Sequence, residues 1–231
     1  MQTTRTVDVP VLRRGFHPHP RRGACLMELV GALSGGCWTD RPASVHPVLA
    51  AACRAVNDRM DDGGRASLLA FVPWAGCLPT EPAARTAISL NERLVRLAGH
   101  YAGGSWSTTD ARRQQTAARL VKQAVGVLSG RPDGHDQLWW LLFDMVNEVR
   151  RDAALPPVVA ARLRLVPAVA TLPVKVSYRC PDDGLSAYVH CVADLRGWPA
   201  DLVPDRLTPA AGTSRAAVGS CAASPTPAVS W

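Results

Sequence analysis

The sequence predicts a mainly α-helical fold: a bundle of about six to seven helices with a possible small C-terminal β-hairpin. Three observations carry that expectation. Aromatic residues are only 6% of a chain that is 47% hydrophobic, so Ala, Val and Leu must fill most of the core, which suits close helix packing. Apolar residues recur at three- and four-residue spacing in runs that end at Gly or Pro. One run, 135–155, is apolar around most of its circumference, the pattern of a helix at a bundle centre.

The elements follow in order. Residues 1–23 hold three prolines and no helical period and read as a basic flexible arm. A helical domain is expected over 24–170. Its first helix runs from Ala24 to Leu33 and closes at the Ser-Gly-Gly of 34–36. Thr39 to Ser44 is a turn, in which Asp40 is expected to accept local backbone N–H groups. Pro47 suits the first position of a second helix, because its missing N–H is not needed there. That helix reaches about Arg59, where the Asp-Asp-Gly-Gly of 61–64 ends it, and a short helix follows over 65–71.

Thr80 is a candidate N-cap for a helix to about His100, with Ala84, Ile88, Asn91, Leu94, Val95 and Ala98 on one face and Glu92–Arg96 as an i,i+4 pair. Thr108 or Thr109 caps the next, to Leu128. Its apolar face is Ala118, Val121, Val125 and Leu128, and its polar face carries Arg112, Arg119 and Lys122. The 135–155 helix ends before Pro156 and Pro157, and another short one spans 158–166. Residues 171–207 read as a small hairpin or irregular subdomain, because the run from Val174 to Cys180 alternates and is followed by turn chemistry. Residues 208–231, rich in Ala, Ser, Pro and Gly, read as a disordered tail.

Composition narrows the function classes. No stretch of about 18 apolar residues runs free of charge, so a membrane span is not expected. The N-terminus has no apolar signal core, which points to a cytoplasmic protein, where the seven cysteines stay reduced. The net charge is +7, and more than half of the excess falls in residues 1–24. A basic arm of that kind can attract nucleic acid or another acidic surface, although a solvated tail is the plainer reading of such a charge run. Neither GxGxxG nor GxxxxGK[ST] occurs, so a phosphate-loop enzyme is not expected.

The candidate chemistry clusters between residues 23 and 58. Cys25 falls in the first turn of the first helix, where backbone N–H groups and the helix dipole favour a thiolate. As a nucleophile it would need a base, with His46, His17 or His19 as candidates, and Glu28 lies on the same helix face. Cys25, Glu28, Cys37 and His46 are also four side chains of types that zinc accepts, so zinc is the possible cofactor, but their spacing matches no familiar zinc pattern. The plainer reading makes Cys25 a small core residue under a helix cap, and lets Glu28 cap the second helix or pair with Arg54. Cys53 and Cys77 read as core, and a site at Cys180, His190 and Cys191 needs the hairpin to form. Asp144 and Glu148, one turn apart, match no di-metal motif and fit a solvated stripe or an ion pair with Arg151.

The block formed by Cys25, Glu28, Asp40, Pro42, His46, Pro47, Asn57 and Asp58 resembles one found in an uncharacterised family of high-GC bacterial and phage proteins. The resemblance covers roughly residues 17–80 and implies a coherent N-terminal unit without implying an activity. Members often carry a cysteine where this chain has Ser44, which counts against a metal site. The expectation is a helical interaction or accessory protein of a bacterial cytosol, with a protein partner or homo-oligomer. The alternatives are a thiol- or zinc-dependent enzyme centred on Cys25, Glu28 and His46, and a weak nucleic-acid binder acting through the arm.

Overall fold

The structure, a computed structural model, describes residues 2–9, 12–18, 22–33, 38–76, 84–104, 106, 109–158, 172–179 and 188–193. The fold is mainly α. Its helices are α1 (Leu26–Leu33), α2 (Pro47–Arg59), α3 (Asp62–Ser67), α4 (Val72–Gly76), α5 (Ala84–Ala102), α6 (Gln114–Leu128) and α7 (Gly134–Asp152), with 3-10 turns at Leu68–Phe71 and Thr109–Arg112. The Thr80 cap, the 159–166 part of the last short helix and the 208–231 tail lie outside the described residues.

Helix α2 begins at Pro47 and packs on α6; α6 packs on α5, and α5 on α7. The expectation of a central last helix has a physical basis in α7, where no residue from 138 to 150 is exposed. Leu138, Leu141, Leu142, Met145 and Val146 are buried there, and the Trp139 and Phe143 rings stack with centroids 5.7 Å apart. The join between α6 and α7 depends on a glycine, since a Cβ at Gly134 would sit 2.5 Å from the Leu128 carbonyl oxygen. Any larger residue would force the two helices apart.

Several local expectations are corrected. The Asp-Asp-Gly-Gly stretch does end α2, but Asp61 then caps α3 by accepting the Gly64 N–H at 2.7 Å, so a helix starts inside the expected break. Thr39, not Asp40, accepts the local N–H of the turn, from Arg41 at 3.1 Å, while Asp40 is held by Arg54. Glu92 pairs with Arg112 at 3.4 Å rather than with Arg96, and Ile88 of the expected apolar face is 43% exposed.

The backbone also pairs β1 (Gln2–Val9), β2 (Leu172–Arg179) and β3 (Tyr188–Ala193) antiparallel, in the order β1-β2-β3. Residues expected to be a free arm therefore contribute a strand, consistent with the five Thr and Val residues of Gln2–Val9. The next stretch is also docked: Leu12 is buried and pairs with Ala24, and the Arg13 N–H donates to the Ala24 carbonyl at 2.7 Å. Leu12, rather than the arginines around it, anchors this segment.

Candidate functional site

The site begins at the start of α1. Cys25 precedes the helix, and its carbonyl accepts the Leu29 N–H at 3.3 Å, which makes it the N-cap residue. Glu28 is the third helical residue. Its Oε2 accepts the Cys25 N–H at 2.7 Å, and its own N–H donates to Cys25 Sγ at 3.4 Å. This is a capping box with cysteine in the place usually taken by serine or threonine. It satisfies two backbone donors that a helix start otherwise leaves without partners.

A second layer ties the N-terminal segment to this box. Glu28 Oε1 accepts the His17 N–H at 2.5 Å, and Oε2 lies 3.1 Å from His17 Nδ1. The Trp38 indole donates to the His17 carbonyl at 2.6 Å, holding the histidine from its other side. The Leu26 N–H donates to Asn57 Oδ1 at 3.2 Å, and Asn57 Nδ2 donates to the Arg13 carbonyl at 2.8 Å. Asp58 accepts the Gly15 N–H at 2.8 Å, and Arg14 Nε donates to the Asp58 carbonyl at 2.7 Å. Gly23 has φ +117, and a Cβ there would meet Arg13 Cδ at 2.6 Å, so the crossing of the two segments requires glycine. Residues 12–18, the start of α1, Trp38 and the last turn of α2 thus meet in one polar joint, buried around Glu28 and the Leu26–Asn57 bond and open to solvent at Asp58.

The electrostatics run against a reactive thiol. Burial, followed by the Glu28 charge, pushes the Cys25 thiol up to about 12. The helix N-terminus was expected to lower it, but that effect needs a thiolate in contact with solvent or a cation, and Cys25 is 2% exposed. Burial likewise raises the Glu28 carboxyl above its ordinary range, while the N–H groups of His17 and Cys25 act in the opposite direction. Cys53, fully buried in α2, is also pushed up to about 12 by burial.

The expected partners separate. His46 caps the other end of α2 through its backbone carbonyl, and burial lowers its imidazole pKa against the opposing charge of Asp152 on α7. Among the described residues no hydrogen bond or ion pair joins His46 to Cys25 or Glu28, and His46 Nδ1 is buried without a hydrogen-bond partner. His17 takes the place beside Glu28 instead. Glu28 neither caps α2 nor pairs with Arg54, because its two oxygens are already used within α1 and by His17. Cys37, His19, Cys77 and Cys180 lie outside the described residues, and His190 and Cys191 are neighbours on β3. Among the described residues no group of three or more His, Cys, Asp or Glu is arranged to hold a metal ion, and no helix is long and apolar enough to cross a membrane.

Asp144 and Glu148 have separate partners. Tyr101 OH donates to Asp144 at 2.6 Å, and Glu148 pairs with Arg93 and with the expected Arg151. Arg93 also bonds Asp152, so this cluster joins α5 to α7. The one functional side chain given too little weight from sequence is Asn57, whose amide bridges α1 and the N-terminal segment. Its signal was a buried-face position on α2, beside Val56. Comparison with protein-family models, with curated proteins and with solved structures finds no match to this chain.

Proposed function

We propose that this protein is a non-catalytic helical binding or accessory protein of the cytosol, in which Cys25, Glu28 and His17 form the joint that fixes the N-terminal segment onto the helical domain. One observation supports this most directly: both oxygens of Glu28 and the sulfur of Cys25 are engaged in capping α1 and in holding His17. The burial that raises the Cys25 thiol to about 12 also disfavours the thiolate that a nucleophilic role requires. The position of His46 also works against a thiol or zinc enzyme using Cys25, Glu28 and His46.

The test is the reactivity of the seven thiols in the native full-length chain at pH 8, read by alkylation and peptide mass spectrometry, with zinc per chain measured after chelator washing. Cys25 should be among the slowest to alkylate, and Cys25→Ser should leave metal content unchanged. A Cys25 that reacts far faster than the other six, or one zinc per chain lost in Cys25→Ser, would overturn the reading.

A further inference from the structure

We infer that the exposed stripe of α6, extended by Arg59 from α2, is a docking surface for the phosphate backbone of double-stranded nucleic acid. The inference rests on the binding reading above and names the partner class. Residues 111–132 contain five basic side chains and no acidic one. Two of the five are engaged: Arg112 with Glu92, and Arg131 with the carbonyls of Tyr101 and Ala102. The other three, Arg113, Arg119 and Lys122, are exposed and make no ion pair among the described residues.

Their placement follows from the helix. The buried face of α6 is Ala117, Val121, Ala124, Val125 and Leu128. At 100° per residue the opposite line is Gln115, Arg119, Lys122 and Gly126. Gly126 leaves that line open at its end, and Arg59 fills the opening. A Cβ at Gly126 would lie 3.9 Å from both terminal guanidinium nitrogens of Arg59, and Arg59 also donates to Ser129 Oγ at 3.3 Å. The cations therefore continue from one helix onto another. From Gln115 to Gly126 the line is about 17 Å long, a length over which a duplex presents roughly ten phosphates.

The occupant is argued from what the stripe lacks and carries. A protein interface has an apolar, often aromatic centre, and this line has none; the nearest exposed apolar residue, Val127, lies off its axis. Arginine and lysine interleaved with exposed Gln115 and Gln123 supply the donors that phosphate and base edges accept. Acids on the neighbouring segments, Asp58, Asp61, Asp62, Glu92 and Asp133, have partners within the fold: Gly15 N–H, Gly64 N–H, Arg65, Arg112 and the Gln137 amide respectively.

The test is fluorescence anisotropy of the full-length protein with a labelled random-sequence duplex of about 20 base pairs, from 50 to 200 mM salt. Three contacting cations, Arg119, Lys122 and Arg59, give a slope of log K against log salt of about −2.7. Arg119→Ala/Lys122→Ala should weaken binding at 50 mM salt at least about tenfold and reduce the slope by about 1.8. Arg59→Ala, on a different helix, should reduce it by about 0.9. Arg41→Ala/Arg151→Ala removes the same net charge from outside the stripe and should change neither. No binding at 50 mM salt, equal weakening by the control pair, or equal affinity for poly-glutamate would overturn the inference. Any of these results with an unreactive, zinc-free Cys25 would leave the non-catalytic reading in place, whereas a hyper-reactive Cys25 would remove that reading itself.

Discussion

Replacing Glu28 with alanine is the most informative single perturbation. In the native protein this carboxylate accepts two backbone N–H groups, from His17 and Cys25, and stands 3.1 Å from the His17 ring. Both residues are nearly closed to solvent, His17 at 8% and Cys25 at 2% exposed. Alanine would leave two buried backbone donors without an acceptor, at about 1–3 kcal/mol each. Two effects reduce that sum. The vacated space is polar enough to admit a water, which can re-pair part of the donors. Removing a carboxyl whose ionisation burial already disfavours also recovers some desolvation. The net expectation is a loss of about 2–4 kcal/mol, a large part of the 5–15 kcal/mol typical of a folded domain.

The assay is urea unfolding followed by circular dichroism at 222 nm, with a fall in Tm of about 4–16 °C as the thermal counterpart. Amide hydrogen exchange gives the local readout, since His17 and Cys25 should lose protection well beyond the global change. Glu28→Gln should lie between the two, because its one carbonyl oxygen keeps one N–H while its amide opposes the other. A loss under about 1 kcal/mol for Glu28→Ala, with His17 still protected, would refute the view that this carboxylate holds the joint.

Other outcomes follow from the same geometry. Cys25→Ser should unfold within about 0.5 kcal/mol of wild type, because serine is the better-attested residue at this position of a capping box, whereas Cys25→Val should lose about 1 kcal/mol by thermal melting. The raised Glu28 carboxyl binds its proton more tightly in the folded state, so wild-type stability relative to Glu28→Gln should be greatest below the ordinary carboxylate range and fall as pH rises through the folded value. Urea titrations from pH 4 to 8 that showed the opposite slope would mean that the N–H bonds outweigh burial. Gly134→Ala should lower Tm by several degrees, because its Cβ would press on the Leu128 carbonyl at 2.5 Å.

Much of the helical scaffold could be read from sequence because its signals are local. Pro47 and the 61–64 stretch bracket α2 without reference to anything distant, and the apolar circumference of α7 follows from composition alone. The site was less legible because its geometry is set by contacts across the chain. The C-x-x-E spacing put Cys25 and Glu28 on one face, which is correct, but cysteine is not a usual capping residue and suggested reactivity instead. Choosing between His17 and His46 depended on Leu12 docking against Ala24, a contact no local pattern announces. The arginines near Leu12 obscured it, since charge runs are ordinarily solvated.

The last turn of α2 shows why the joint should behave as one unit. Asn57 points inward to Leu26 and Arg13, Asp58 to Gly15, and Arg59 outward over Gly126, three directions taken by three consecutive residues about 100° apart. Asn57→Ala should cost about 1–3 kcal/mol, because it orphans the buried Leu26 N–H, while the Arg13 carbonyl, whose bond is only half-buried, can turn to water. Glu28 and Asn57 hold the same segment from opposite sides, Glu28 at His17 and Asn57 at Arg13. Once either is lost, residues 12–18 loosen, and the second substitution has less left to break. The double variant Glu28→Ala/Asn57→Ala should therefore lose less than the sum of the single losses, by roughly 0.5–3 kcal/mol. Strict additivity in urea unfolding, to within about 0.5 kcal/mol, would sink the idea of a shared joint and leave two independent caps at the start of α1.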